Sequence, residues 1–367
     1  MTPKEHNALS ESLGWEHLLL AGRATTALWA WLRALLPAGS RVLVPINVCE
    51  VVVAAILEAG MVPRYIDIDP VQGDFGPDEL NEAFCDDCKG LIAVHGFGAP
   101  LAMQRIEPWA SARDIVIIED GCNALGATLD GHPIGSWSTA CLYSFGHGKT
   151  LDLGYGGLLA SRDPSLIAEC ARMIDALPAW SQSSADHDRS YQVLLRTVRG
   201  DRRLQDPCLY QTIYRCYRPA LLTSAPPELA TTITRALQHL PENLITRAER
   251  AEQYRRLLAH DRITHRRPTP GESCWRYTFH LPREVRNLVV QHLRARDLPI
   301  STWYPAVDRL FHKRPTGKTM AGGDQFEQTV VNLFVDPSVE DETVEACSRE
   351  IIEGIELAMP QTELCTA

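Results

Sequence analysis

Residues 113–157 read RDIVIIEDGCNALGATLDGHPIGSWSTACLYSFGHGKTLDLGYGG, and the rest of the chain is read outward from them. An apolar run, Ile115–Ile118, ends in Glu119 and Asp120. A second run, Ala140–Tyr143, leads through Ser144 and Phe145 to Lys149, and on to glycines 154, 156 and 157. Short apolar runs between turn signals read as buried strands of an α/β sheet. Ligands of open α/β sheets sit beyond the carboxyl ends of the strands, where the acid and the lysine both fall. An acid, a hydroxyl and a lysine converging there fit pyridoxal 5'-phosphate (PLP). The lysine suits a Schiff base, the acid suits the pyridinium nitrogen, and the hydroxyl suits the phosphate.

The stretch resembles the DegT/StrS group of sugar aminotransferases among the fold-type I PLP enzymes. Their pattern is an acid-bearing strand end, a Ser-Phe pair ahead of the lysine, and a glycine-rich segment. Here those places hold Glu119–Ala127, Ser144 with Phe145, Lys149, and Gly154–Gly157. The resemblance implies an α/β fold with a mostly parallel seven-stranded sheet flanked by helices, in a large PLP-binding domain over residues 1–262. A smaller C-terminal α+β domain is expected over 263–367. The catalytic residues it implies are Lys149 and Asp120, with Ser144 on the cofactor phosphate.

Outside this stretch the signals are more local. Gly22–Leu28 opens a helical-looking WAWLRALLPAG, and small or hydroxyl residues at a helix start either bind an anion or merely cap the helix. Similarity to the family favours the first, with Ala24, Thr25 and Thr26 at the phosphate. Arg41–Pro45 reads as a strand, the apolar run from Val51 as a helix ended by Gly60, and Val62–Ile68 as another strand. Where the family stacks an aromatic ring on its cofactor, this chain has Cys49, so stacking is weaker or supplied from elsewhere. Asn123 stands where members have Gln or His, and is expected at the ring hydroxyl or as a turn cap. Leu91–Val94 reads as a strand leading to His95, which either faces the pocket or is hydrogen-bonded beneath it.

From about 161 to 262 the chain is helical, basic and divergent. The family's Gly-x-Asn-x-Arg element, whose asparagine reaches the neighbouring subunit's phosphate, is missing. The resemblance implies a homodimer with shared sites, and 205–227 offers Tyr210, Tyr214, Arg215, Tyr217 and Arg218, residue types enriched at interfaces. Trp275–His280, a helix over 284–297, Leu298–Pro305, Asn332–Val335 and a helix from about Glu340 to Leu357 resemble the family's C-terminal domain.

Bulk properties bound the alternatives. The chain has 367 residues, 45% of them hydrophobic, enough for a sizeable core and two domains. A formal charge of −10 argues against nucleic acid as a partner, and no apolar run is long enough for a bilayer. The N-terminus lacks an apolar signal core, so a cytoplasmic location is expected. Of eleven scattered cysteines, Cys85 and Cys88 form a lone C-x-x-C. With no second ligand pair, no metal site is expected. Gly146–Thr150 imitates a P-loop, but Tyr143 stands where that motif needs glycine.

The expected activity is transfer of an amino group from glutamate or glutamine to a carbonyl, in a nucleotide-linked keto sugar or another secondary metabolite. The alternatives are PLP-dependent dehydration and a non-catalytic, regulatory PLP-binding protein. Members that dehydrate ketosugars replace the lysine with histidine, and Lys149 is retained. Retention of Asp120 beside it argues against the regulatory reading.

Overall fold

A computed structural model describes residues 1–200, 206–311 and 319–358; position 205 of the arginine-rich stretch and 359–367 of the expected C-terminal domain lie outside them. The chain begins with α1 (Pro3–Leu13), whose N-cap Thr2 and N3 residue Glu5 form a reciprocal capping box. There follow β1 (His17–Ala21), α2 (Ala24–Leu35), β2 (Arg41–Pro45), α3 (Glu50–Glu58), β3 (Val62–Ile66), α4 (Pro77–Ala83), β4 (Cys88–Val94), α5 (Met103–Ser111) and β5 (Val116–Asp120). A two-residue ribbon, β6 (Thr128–Leu129) with β7 (His132–Pro133), precedes β8 (Ala140–Ser144) and β9 (Gly157–Ser161).

The central sheet has seven strands in the order β1-β9-β8-β5-β4-β2-β3. β2 pairs in parallel with β3 and β4, β4 with β5, and β5 with β8. β9 is antiparallel to both β8 and β1, so it alone runs against the others. Alternation along β5 explains its unbroken apolar sequence. Ile118 joins the core under α2, α3 and α6 (Pro164–Asp175), and its neighbour Ile117 joins the core under α4 and α5. A strand buried on both faces has no position for a polar side chain until it ends. At that end come Glu119 and Asp120.

Helices α7 (Gln182–Gly200), α8 (Pro207–Leu221), α9 (Leu229–Leu237) and α10 (Leu240–Leu257) follow. A second sheet, all antiparallel, orders β10 (Thr264–His265), β11 (Tyr277–His280), β13 (Val330–Leu333) and β12 (Ile300–Ser301) as β10-β11-β13-β12. Helices α11 (Arg283–Arg294) and α14 (Asp341–Ala358) cover it; the short α12 (Asp308–Phe311) and α13 (Ala321–Thr329) lie between. Its core draws Phe279 and Leu333 from strands, Val289 and Ile351 from helices, and Tyr254 and Leu258 from α10 and its end.

Several strand readings shift, three of them for a visible reason. β3 stops at Ile66 because Asp67 turns its carboxylate to the N–H groups of Gly322 and Gly323, at 3.1 and 2.8 Å. The strand within 298–305 shrinks to two residues, β12, because beyond Ser301 the chain peels off β13. β4 starts earlier than Leu91, at Cys88, where its N–H donates to Cys85 O at 2.8 Å. Among the described residues no helix is long and apolar enough to cross a membrane.

Candidate active site

The carboxyl ends of the parallel strands open into a cavity of about 350 Å³. Pro45 ends β2, Asp120 ends β5 and Ser144 ends β8, and all three line it, as does Lys149. Lys149 lies on the loop between β8 and β9, which is fastened at both ends. Phe145 N donates to Gly156 O at 3.0 Å, and Leu153 N donates to Phe145 O at 2.8 Å.

Lys149 Nζ donates to Asn123 Oδ1 at 2.8 Å, and Asn123 Nδ2 donates to the Tyr304 hydroxyl oxygen at 2.9 Å. Asn123 therefore holds the amine directly and does more than cap a turn. Burial disfavours the Lys149 ammonium, but Tyr304, Cys122, Cys49 and Asp120 facing it leave its pKa above the ordinary lysine value. Burial likewise pushes Tyr304 up to about 12, so its hydroxyl keeps its proton at neutral pH. Asp120 is only 4% exposed and accepts from Cys122 N at 2.9 Å.

Ala24 and Thr25 line the cavity at the start of α2, which has no side-chain cap hydrogen bond. Its first-turn N–H groups and positive dipole end suit an anion. The close approach of β9 there requires glycine: a Cβ on Gly157 would lie 2.2 Å from Ala24 N. Thr26, expected beside them, turns away. Its hydroxyl donates to Leu221 O at 3.0 Å and accepts from Thr223 N at 3.1 Å, tying α2 to the end of α8. Thr26 is outside the cavity lining. Ser144 is half-buried, and its Oγ accepts from Gly146 N at 3.4 Å.

Cys49 also lines the cavity, its sulfur 3.6 Å from Glu50 Oε2. Rings enter from the far side instead. Trp275 stacks on Tyr304 at 6.0 Å with an 8° interplanar angle, and Lys149 Nζ is 5.9 Å from the Trp275 centroid. His95 lies beneath the site and does not line it. Leu101 N donates to its Nδ1 at 3.0 Å, so its Nε2 carries the proton and donates to Glu119 Oε2 at 3.0 Å. Burial would raise the Glu119 pKa, but the His95 ring and the Gly135 N–H hold it below the usual carboxylate range.

Several lining residues carried no usable signal in the sequence. Arg23 pairs with Asp188 of α7 at 2.7 Å and lies over Trp180. Gln192 and Arg196 follow on α7, and Arg276 faces the cavity from the start of β11. The i, i+4 spacing of 188, 192 and 196 puts them on one helical face, which was the only available hint.

The expected interface stretch divides. Tyr210 and Tyr214 are buried in this chain's own core against Val53 and Phe311, because α8 packs under α3 and α12. Tyr217 is half-buried with its ring 5.2 Å from Tyr191, and exposed Arg218 pairs with Glu58. Arg215 is exposed, and neither arginine lines the cavity. The sulfurs of Cys85 and Cys88 are 3.4 Å apart, neither residue lines the cavity, and burial pushes the Cys88 thiol up to about 11.

The cavity fits PLP on its own terms: a half-buried amine, a buried carboxylate, and an open helix start beside a hydroxyl. TlmJ, an aminotransferase from Streptoalloteichus hindustanus, superposes with a TM-score of 0.79 at 21% identity over 96% of this chain and 90% of its own, which establishes the fold. Protein MosB of Rhizobium meliloti is 34% identical over 159 residues, 43% of this chain and 31% of MosB. The dTDP-4-dehydro-2,3,6-trideoxy-D-glucose 4-aminotransferase of Saccharopolyspora spinosa is 25% identical over 93% of this chain and 85% of its own. On relatives at 34–35% identity the match spans about a third of their length. Residues 5–193, just over half of the sequence, match the profile of one family, and the chain belongs to it: the DegT/DnrJ/EryC1/StrS aminotransferase family.

Proposed function

We propose that this chain is a PLP-dependent aminotransferase that moves the amino group of glutamate or glutamine onto the carbonyl of a keto sugar or a related metabolite. The observation that carries the reading is the meeting of Lys149 and Asp120 in one cavity with the uncapped start of α2. Lys149 would hold the cofactor covalently and Asp120 would keep its ring nitrogen protonated. Ser144, Thr25 and Ala24 would take its phosphate. When bound, PLP supplies an electrophilic carbon and a ring that takes up the electron pair of a deprotonated substrate.

The chain's own groups do the rest. Lys149, when it is not the covalent link, is the base beside the substrate carbon. Asn123 fixes where it takes up and returns the proton, by accepting from its amine at 2.8 Å. Trp275 and Tyr304 form an aromatic wall against water. The name of the Saccharopolyspora relative, aligned over most of this chain, supports a nucleotide-linked keto sugar as acceptor.

We extend the proposal to a homodimer, supported by Val193 and Leu194, apolar and exposed on the helix that brings Gln192 and Arg196 to the cavity. Residues 1–262 and 263–367 are taken as its two domains. Borohydride treatment of the PLP-loaded protein, followed by peptide mass mapping, is expected to fix the cofactor on Lys149. Attachment to any other lysine overturns the assignment, and sedimentation at a monomer mass across micromolar concentrations overturns the dimer.

A further inference from the structure

The loop that carries Lys149 is held by a carboxylate that the proposed chemistry leaves unused. Asp152 follows the lysine in the same loop and turns back behind it. Its Oδ2 accepts from Gly148 N at 2.8 Å, and its Oδ1 accepts from Gly154 N at 2.9 Å. One side chain thus ties the amide directly before the lysine to an amide near the far end of the loop. His147 adds to the same turn, its Nδ1 lying 3.6 Å from Asp152 Oδ1.

The tie matters because the backbone here is soft. Gly148 and Gly154 both adopt the left-handed region, with φ of 72° and 80°, and glycine loses more freedom on being fixed than any other residue. The lysine's own amide makes only a 3.3 Å bond, to Gly146 O. Gly148 is held at its nitrogen by Asp152 and at its oxygen by Trp275, whose Nε1 donates to it at 2.7 Å. From that fixed point the lysine side chain runs to Asn123 Oδ1 at 2.8 Å.

Asp152 itself does not enter the cavity. Its side chain is 48% exposed and lies outside the lining, so its effect on Lys149 passes through the backbone. A second aspartate makes a similar pair of bonds elsewhere. Asp163 Oδ1 accepts from Ser165 N at 2.8 Å and Leu166 N at 3.4 Å at the start of α6, also outside the lining. The two differ in what they hold: one fixes a helix end, the other the lysine.

We propose that Asp152 is a positioning residue for Lys149, aiming the amine at Asn123 by tying the amides of Gly148 and Gly154 together behind it. This rests on the aminotransferase reading, because only then does the amine have to move a proton at one fixed carbon. A misplacement of about 1 Å costs on the order of 100-fold in rate. The loss belongs in kcat and not in KM, because no contact to a ligand is removed.

The test uses the full chain with PLP, and L-glutamine and L-glutamate as donors. Asp152→Ala removes both acceptors, Asp152→Asn keeps one carbonyl oxygen, and Asp163→Ala is the control. In Asp152→Ala, kcat is expected to fall about 10- to 100-fold with KM unchanged, and Asp152→Asn should fall between that variant and wild type. The second readout is capture of PLP by the cofactor-free chain, trapped with borohydride and mapped to Lys149 by peptide mass. Its rate is expected to fall in the same order, while Asp163→Ala matches wild type in both measurements. If Asp152→Ala does not fold, Asp152→Asn carries both and must show a loss in each. Where the wild type turns over either donor, unchanged capture or unchanged turnover in Asp152→Ala overturns the positioning role and leaves the aminotransferase reading standing. Equal losses in Asp163→Ala, or a rise in KM that accounts for the whole loss, do the same. Where the wild type turns over neither donor, slower capture in Asp152→Ala retains the role and rejects the reading, and unchanged capture rejects both.

Discussion

Glu119→Gln is the most informative single change beneath the site, because it preserves shape and removes only charge. Glu119 is wholly buried. Its Oε2 accepts from His95 Nε2 at 3.0 Å and Gly135 N at 2.7 Å, and its Oε1 accepts from Trp137 N at 3.0 Å. A glutamine can turn its single carbonyl oxygen to the first pair, but its amide NH2 then confronts the Trp137 N–H. One buried donor is left unpaired, at about 1–3 kcal/mol, and two charge-assisted bonds become neutral ones at about half strength. Relief of carboxylate burial offsets part of this, leaving a loss of about 3 kcal/mol at neutral pH.

The sign of the pH dependence follows from Glu119 being held below the usual carboxylate range. Its contribution is complete above the ordinary glutamate pKa and disappears as pH falls through the lower folded value. Urea unfolding followed by tryptophan fluorescence should show a gap between wild type and variant at pH 7 that narrows in acid, below about pH 4.5. A variant as stable as wild type at pH 7, or a gap unchanged down to the acid limit of folding, would refute the reasoning.

Three further outcomes are expected. Asp120→Asn should still take up PLP but lose about 10²–10³-fold in the single-turnover rate with an amino donor, by analogy with removing one preorganised electrostatic contact; near-normal turnover contradicts its role at the ring nitrogen. Gly157→Ala drives a methyl to within 2.2 Å of the Ala24 nitrogen, where only backbone can give way, whereas a Cβ on Gly96 meets nothing within 4 Å. The first should release PLP on dialysis and the second should retain it, as measured by cofactor absorbance. Arg218→Ala removes an exposed ion pair with Glu58 and should shift stability by no more than about 1 kcal/mol in urea unfolding.

The legible parts of this protein were those where local sequence and final environment coincide. β5 and β8 are short apolar runs that end in polar groups at the sheet edge, so Asp120 and Ser144 could be placed from periodicity and strand ends. The same pattern marked an α/β sheet, and its seven mostly parallel strands were implied by the family resemblance. What could not be read depends on contacts between distant segments. Thr26 has the sequence neighbourhood of an anion site, yet its hydroxyl is engaged by residues 221 and 223. Tyr210 and Tyr214 have interface-like composition, but α3 and α12 bury them within the chain. Trp275 and Arg276 become lining residues only because the second sheet docks over the loop that carries Lys149, with Trp275 Nε1 donating to Gly148 O at 2.7 Å. No window of sequence contains both halves of such a contact.

The hydrogen bond from Asn123 to Tyr304 joins groups 181 residues apart. During synthesis, a ribosome that has already released Lys149 and Asp120 has yet to make the aromatic wall that confines them. A partly made chain therefore carries Lys149 and Asp120 in an open half-site, and the rings that enclose them arrive only with the last third of the protein. A molecule that touches both halves also acts as a clasp. Its binding free energy opposes separation of the two sheets, so saturation with such a ligand should slow proteolysis at sites remote from the cavity.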